Sequence, residues 1–144
     1  MFINEYGSRE DPTIILLAPM MVSGTNLYDL MRPYWKGAYH VIAPDHVGHG
    51  KAGAYISADE EYQALRSFLL ENDCREIALV YGASLGVAVA YRIFFDPAFH
   101  IRCGAGGECG LCGIVYEEAV PEPEKEAGKD PDGSVREPGE DVRI

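Results

Sequence analysis

Residues 80–91, VYGASLGVAVAY, place one serine between two glycines, with apolar residues on either side. An apolar strand before Gly82 and an apolar helix after Gly86 would force a strained turn at Ser84, which lifts its hydroxyl group above a sheet. The N–H of Leu85, at the positive end of the helix, would then point towards a developing oxyanion. The spacing predicts that Ser84 is a nucleophile; the alternative is a glycine-rich turn with an ordinary serine.

A serine hydroxyl is a weak nucleophile unless a base accepts its proton, so the histidines decide what Ser84 can do. After Ser84 the only histidine is His100, just past the following helix, and residues 101–144 contain none. His40 begins a predicted strand, where the general base is not expected. Loss of the base removes most of the catalysis, although an oxyanion hole alone leaves residual acceleration. The histidine content after Ser84 is therefore the feature that limits what this serine can do.

A second polar cluster lies in the segment PDHVGHG, which contains Asp45, His46 and His49. One interpretation is a second catalytic triad. We favour the other, in which Asp45 orders the turn of a loop and Gly48 and Gly50 permit its backbone conformation.

Strands and helices alternate along the first hundred residues. Continuous apolar runs predict buried strands at 13–18, 39–44 and 76–81. Helices are predicted at 26–31, 57–72 and 85–95. Because strands separated by helices of this length imply right-handed crossovers, we expect an α/β fold with a partial, doubly wound, mostly parallel sheet. Residues 2–7 are expected to add an edge strand.

The helix predicted at 57–72 has the clearest start signal. Ser57 and Glu60 form a capping box, in which the serine side chain accepts a hydrogen bond from the first turn. The helical spacing places Tyr62, Leu65 and Leu69 on one face.

Three segments together resemble the N-terminal half of an α/β-hydrolase fold protein. They are IILLAPMMVSGTNLYDL, VIAPDHVGHGKAG and LVYGASLG, in that order, and the resemblance covers residues 1 to about 101. It implies that Ser84 is the nucleophile and that the N–H groups of Leu85 and Met20 form the oxyanion hole. It also implies that the acid and then the histidine of the triad follow Ser84 along the chain; both are missing, so an incomplete copy with little or no activity is expected. Many relatives have His-Gly where this chain has Ala18-Pro19. Met20 and Met21, with Val22, would line an acyl pocket, or they are plain packing residues.

The composition changes near residue 100. Residues 101–144 contain eleven acidic and five basic side chains, eight of the sixteen glycines and a single aromatic ring, Tyr116. Such a segment buries too little apolar surface to offset the entropy of ordering it. We therefore predict an N-terminal part of a hydrolase domain, 1–103, and a disordered acidic tail, 104–144, in which LCGIVY (111–116) is the only strand-like segment. The strand at 76–81 would then have an exposed apolar edge, through which the chain could self-associate.

A reading-frame slip near residue 102 would explain both the change in composition and the lost histidine. Read one base later, several glutamate codons of residues 117–126 would encode lysine or arginine. The chain is therefore expected to be a truncated or frame-shifted copy, and the coding DNA tests this.

Charge and composition also limit the partners. The formal net charge of −11 argues against nucleic acid and gives no support for anionic membranes. The sequence has no signal peptide and no apolar run long enough for a membrane span, and its four cysteines fit a reducing compartment, so a cytoplasmic location is expected. A small ester-like molecule is the expected substrate.

No cofactor or metal is expected. Cys103, Cys109 and Cys112 could hold zinc, but a structural zinc site needs four ligands and usually a second pair. Besides the serine hydrolase, two alternatives stay open at this stage. One is a non-catalytic pseudo-hydrolase that serves binding or interaction, and the other is a zinc-dependent tail module.

Overall fold

The computed structural model describes residues 1–46, 48, 50–53, 57–108 and 112–117. Its strands are β1 (Glu5–Tyr6), β2 (Thr13–Leu17), β3 (His40–Ile42), β4 (Glu76–Ala83), β5 (His100–Ile101), β6 (Cys103–Glu108) and β7 (Cys112–Glu117). Its helices are α1 (Gly24–Met31), α2 (Ala58–Glu71) and α3 (Leu85–Phe94), with a short 3₁₀ helix at Arg32–Tyr34.

The strands form one mixed sheet in the order β1-β3-β2-β4-β6-β7, and β5 pairs with the start of β4. The pairs β3–β2, β2–β4, β4–β5 and β4–β6 are parallel, whereas β1 and β7 run antiparallel to their neighbours at the two ends. This arrangement confirms the predicted α/β class with a mostly parallel sheet. The N-terminal edge strand is also present, although it is only two residues long.

Alternate side chains of β2 enter two different cores, because successive residues of a strand point to opposite faces. Ile15 and Leu17 pack in a cluster with residues of α2 and α3. Ile14 and Leu16 pack with Leu27 of α1 on the other face. All five residues of β2 are buried, as expected of a central parallel strand covered by helices on both faces. The doubly wound arrangement is therefore confirmed.

Helix α2 begins as its capping signal predicts, since the Ser57 hydroxyl accepts a hydrogen bond of 3.2 Å from the Glu60 N–H. The predicted face of Tyr62, Leu65 and Leu69 packs on one core cluster, and it also carries a buried residue that was not predicted. Leu65 and Leu69 are fully buried together with Glu61, whereas Tyr62 is only partly buried. The helix therefore turns a carboxylate towards the interior, which requires a buried polar partner.

The sheet continues past residue 103, where the predicted tail begins. Strand β6 pairs with β4 from Val80 to Ala83, and β7 extends the sheet to Glu117. The exposed edge expected for the strand at 76–81 is therefore wrong, because β4 is paired with β2 on one side and with β5 and β6 on the other. Self-association stays a prediction, and so does disorder for residues 118–144, which lie outside the described ranges. No helix within those ranges is both long and apolar enough to cross a bilayer.

Candidate active site

Ser84 lies in the tight turn between the end of β4 and the start of α3. Its backbone angles are φ 47° and ψ −110°, which side chains other than glycine rarely adopt. A residue held in such a conformation costs about 1–3 kcal/mol and persists only where its surroundings enforce it. The turn is therefore a strained backbone feature of the kind that clusters at functional sites.

The two flanking glycines are required by packing. A Cβ atom on Gly82 would lie 2.7 Å from the Ala90 Cβ and 2.8 Å from the Gly86 carbonyl oxygen. A Cβ atom on Gly86 would overlap the carbonyl group of Leu17 in the neighbouring strand. The spacing Gly-x-Ser-x-Gly is thus what lets α3 approach β2 and β4 closely enough to make the turn.

The side chain of Ser84 is exposed, and its hydroxyl makes no hydrogen bond to any residue that the structure describes. Its backbone is fixed from both sides. The Ser84 N–H donates to the Gly107 carbonyl at 3.0 Å, and the Ser84 carbonyl accepts from the Val87 N–H at 3.0 Å. The N–H of Leu85 belongs to the first turn of α3, where backbone N–H groups lack an intrahelical acceptor and the helix dipole is positive.

Met20 follows β2 at the same edge of the sheet, because Leu17 is paired with Gly82 in the parallel strand β4. The chain turns here, with the Val22 N–H donating to the Pro19 carbonyl at 3.2 Å and with a left-handed residue, Met21, at φ 66°. Met20 and Met21 are 62% and 85% exposed, so neither is a core residue. The exposure argues against the plain packing alternative, and the proposed roles of both residues stay predictions.

The loop after β3 is organised by Asp45, which is buried. One carboxylate oxygen accepts hydrogen bonds from the Gly24 N–H at 2.8 Å and the Asn4 amide at 3.1 Å, and the other accepts from the Lys51 N–H at 2.8 Å. The turn also uses left-handed glycines, with φ 87° at Gly48 and 51° at Gly50. The interpretation of Asp45 as a loop-ordering residue is therefore confirmed.

The sequence did not lead us to predict a buried, hydrogen-bonded pair formed by His46 and Glu61. The His46 Nδ1 lies 2.7 Å from a carboxylate oxygen of Glu61, and both side chains are almost completely buried. The His46 Nε2 is buried without a hydrogen-bond partner among the described residues. The sequence did carry a signal, because Glu61 stands at i, i+4, i+8 spacing with Leu65 and Leu69 on the apolar stripe of α2.

The described histidines are all engaged away from Ser84. His40 lies between Thr13 and Glu5, at 3.2 Å and 3.0 Å, and His100 lies 2.9 Å from Glu76. His46 contacts Glu61, as above. His49 lies outside the described residues. Within the described ranges, therefore, the structure brings no imidazole into hydrogen-bond contact with the Ser84 hydroxyl.

The cysteines of the proposed zinc cluster are only partly covered by the structure. Cys103 is half-buried in β6 and has no disulfide partner among the described residues. Cys112 begins β7, and Cys109 lies outside the described residues. The zinc interpretation stays a prediction.

No family model and no curated protein matches the sequence. Solved structures do match. A protein of the α/β-hydrolase family from Desulfitobacterium hafniense aligns with a TM-score of 0.64 and 20% identity, over 71% of this chain and 42% of its own. Epoxide hydrolase A from Mycobacterium thermoresistibile aligns with a TM-score of 0.59 and 22% identity, over 72% of this chain and 34% of its own. An esterase from a marine microorganism aligns with a TM-score of 0.62 and 18% identity, over 73% of this chain and 40% of its own.

The chain therefore has the α/β-hydrolase fold over its matched part. It spans about 34–42% of the length of these three structures. At this level of identity the likeness shows the fold alone.

Proposed function

We propose that this chain is an α/β-hydrolase-type serine hydrolase acting on ester-like bonds, with Ser84 as the nucleophile of a nucleophile elbow. The observation that carries the proposal is the left-handed, strained backbone of Ser84 between two glycines that cannot bear a side chain. A serine in an ordinary loop has no need of such a conformation. The exposed hydroxyl and the adjacent helix N-terminus support the same assignment.

The chemistry follows from this position. The Ser84 hydroxyl oxygen attacks the carbonyl carbon of the ester, its proton passes to a base, and the carbonyl oxygen becomes an oxyanion. The N–H groups of Leu85 and Met20 stabilise that oxyanion by hydrogen bonding. Collapse of the intermediate expels the alcohol, which takes up the proton, and water then hydrolyses the acyl-serine.

The base is the part of this mechanism that the described residues do not supply. Because nothing described accepts a hydrogen bond from the Ser84 hydroxyl, attack requires an unassisted loss of the proton. Removing triad members costs several orders of magnitude in rate, while oxyanion stabilisation and binding leave a residual acceleration of about 10³–10⁴ over water. We therefore infer that this chain alone has little or no hydrolytic activity.

That missing base favours a second candidate function, a pseudo-hydrolase that binds a small molecule or a partner without turnover. The elbow would then be an inherited feature of the fold. The two candidates differ in whether the Ser84 oxygen reacts with a carbonyl or phosphonyl centre.

A fluorophosphonate probe distinguishes these candidates, because it phosphonylates an activated serine irreversibly. For a hydrolase with residual reactivity we expect slow covalent labelling of the wild-type chain, mapped to Ser84 by mass spectrometry, and none of Ser84→Ala. The control is Ser67→Ala, which removes another exposed serine, on α2, and should label like wild type. Folded, soluble wild-type protein that takes up no probe would favour the binding protein.

A further inference from the structure

A cavity of about 290 Å³ lies at the other end of the sheet from Ser84. Tyr39, on its wall, comes immediately before β3, whereas Ser84 comes immediately after β4. Because β3, β2 and β4 are parallel, these residues lie at opposite edges. The cavity is thus independent of the proposed nucleophile.

Three aromatic rings on different segments line this cavity. The Tyr28 and Trp35 rings have centroids 5.7 Å apart and planes at 63°, and the Trp35 and Tyr39 rings are 6.1 Å apart at 78°. Tyr28 is held in place from behind by Tyr6, whose ring stacks on it at 3.7 Å and whose hydroxyl donates to Thr25. The cavity thus has a wall rich in aromatic residues, and aromatic rings attract a cation placed over their faces.

Two opposite charges line the same cavity. Asp11 and Arg32 are both among its lining residues. Within the described ranges, neither side chain makes a hydrogen bond or ion pair, whereas Arg9 is paired with Glu5 and Arg66 with Asp96. An unpaired carboxylate favours a cation and an unpaired guanidinium favours a carboxylate or phosphate, so a ligand of a single charge would satisfy only one of them.

We propose that this cavity is a binding site for a small zwitterion that carries a quaternary ammonium group and a phosphate or carboxylate. The methylated ammonium contacts the rings of Tyr28, Trp35 and Tyr39 near Asp11, and the anionic end pairs with Arg32. A quaternary ammonium is preferred because it is bulky, apolar on its surface and weakly hydrated, so the rings replace little lost hydration.

The chain contains one tryptophan, Trp35, so its fluorescence reports directly on this cavity. We expect phosphocholine to produce a saturable change in fluorescence, with the same dissociation constant by calorimetry. A parallel titration with glycine betaine, which carries a carboxylate instead of a phosphate, shows which of the two anionic groups the site binds more tightly. The isostere 3,3-dimethylbutyl phosphate keeps the phosphate but replaces the cationic nitrogen by an uncharged carbon, and it should bind about tenfold more weakly.

Variants separate this site from a general surface effect. Arg32→Gln and Asp11→Asn should each weaken phosphocholine binding about three- to tenfold, in keeping with the loss of one partly exposed charge contact. The matched controls Lys36→Gln and Asp29→Asn change the same charges on nearby residues outside the cavity wall and should bind as wild type. Ser84→Ala should also bind as wild type.

Three outcomes would overturn the proposal. They are the absence of a saturable signal with both phosphocholine and glycine betaine, equal binding of phosphocholine and 3,3-dimethylbutyl phosphate, and unchanged phosphocholine binding by both Arg32→Gln and Asp11→Asn. None of them bears on the reactivity of Ser84, which the fluorophosphonate experiment measures separately.

Discussion

The Ser84 N–H donates a hydrogen bond of 3.0 Å to the carbonyl of Gly107 in β6. The turn that presents the serine is therefore held from one side by a strand whose composition predicts disorder. Strand β6 also covers the edge of β4, which would otherwise expose a row of unpaired backbone groups.

Removal of β6 should unfold or aggregate the protein. We compare a chain ending after Glu117 with one ending after Cys103, the predicted domain boundary. The longer form keeps the described sheet and should remain soluble and monomeric with a cooperative thermal transition. The shorter form loses both the β4–β6 pairing and the Ser84–Gly107 hydrogen bond, and it should aggregate. Size-exclusion chromatography and circular dichroism measure the difference, and a soluble, cooperative shorter form would refute this account of β6.

The glycine at the start of α3 should not tolerate a methyl group. A Cβ atom at Gly86 would overlap the Leu17 carbonyl, a rigid backbone group that cannot move aside. We expect Gly86→Ala to lower the free energy of unfolding by about 1–3 kcal/mol, the usual cost of overpacking. Gly53→Ala is the control, because nothing lies within 4 Å of its Cβ position. Urea denaturation of both variants tests the prediction, which fails if they are equally stable.

Much of the fold could be predicted because its central strands are apolar throughout. The expected strand at 13–18 corresponds to β2, and the expected helix at 57–72 corresponds to α2. In these segments the pattern of apolar residues and the residues that begin and end each element indicate the same structure. The local preference of the sequence therefore agrees with the complete fold.

Strand β6 could not be predicted, because its sequence, CGAGGE, has hardly any side chains from which to read a period. The structure shows why small residues are needed there. A Cβ atom on Gly104 would lie 2.6 Å from the ring of Phe94 on α3. In the sequence, the glycines of β6 indicate a flexible segment. In the fold, they allow helix α3 to pack closely against the strand.

The candidate site also has a part that the sequence predicts and a part that it does not. The position of Ser84 could be predicted, because the turn is fixed by residues within two positions of it. The pair formed by His46 and Glu61 could not, because it joins a loop to a helix fifteen residues away. Whether a base reaches Ser84 is likewise a question of long-range placement, which one sequence does not encode in any local pattern.

Relief of the backbone strain at Ser84 should stabilise the protein. Glycine adopts the observed φ of 47° without steric cost, whereas alanine does not. We expect Ser84→Gly to be more stable than Ser84→Ala by about 1 kcal/mol. Ala88→Gly, at an exposed position within α3, should show the opposite sign and lose about 1 kcal/mol. Thermal melts of the three variants test this, and a Ser84→Gly protein less stable than Ser84→Ala would contradict the strained conformation.

The buried carboxylate of Asp96 should make stability depend on pH. Burial raises its pKa, but hydrogen bonds from the Ala98 N–H, the Tyr62 hydroxyl and the Arg66 guanidinium outweigh this and hold the pKa below its ordinary value of 3.8. Because the folded pKa is the lower one, this stabilisation is present above pH 3.8 and is lost as the pH falls through the folded pKa.

Asp96→Asn should therefore lower the free energy of unfolding by about 2 kcal/mol at neutral pH, and the difference from wild type should shrink in acid below the ordinary pKa. Asp59→Asn is the matched control, since Asp59 forms an exposed pair with Arg92 and should change stability by less than about 1 kcal/mol. Urea titrations across the acidic range measure both, and a deficit of Asp96→Asn that does not depend on pH would rule out the carboxylate as its source.

The most direct test of the central claim is the rate at which Ser84 is phosphonylated, measured with and without added imidazole. If the turn presents a reactive oxygen that lacks a base, fluorophosphonate should label Ser84 slowly, and imidazole should raise that rate in proportion to its concentration in wild type but not in Ser84→Ala. Rapid labelling without imidazole, with the pH dependence of an internal histidine, would contradict the account, and so would the absence of any label on Ser84 at saturating imidazole.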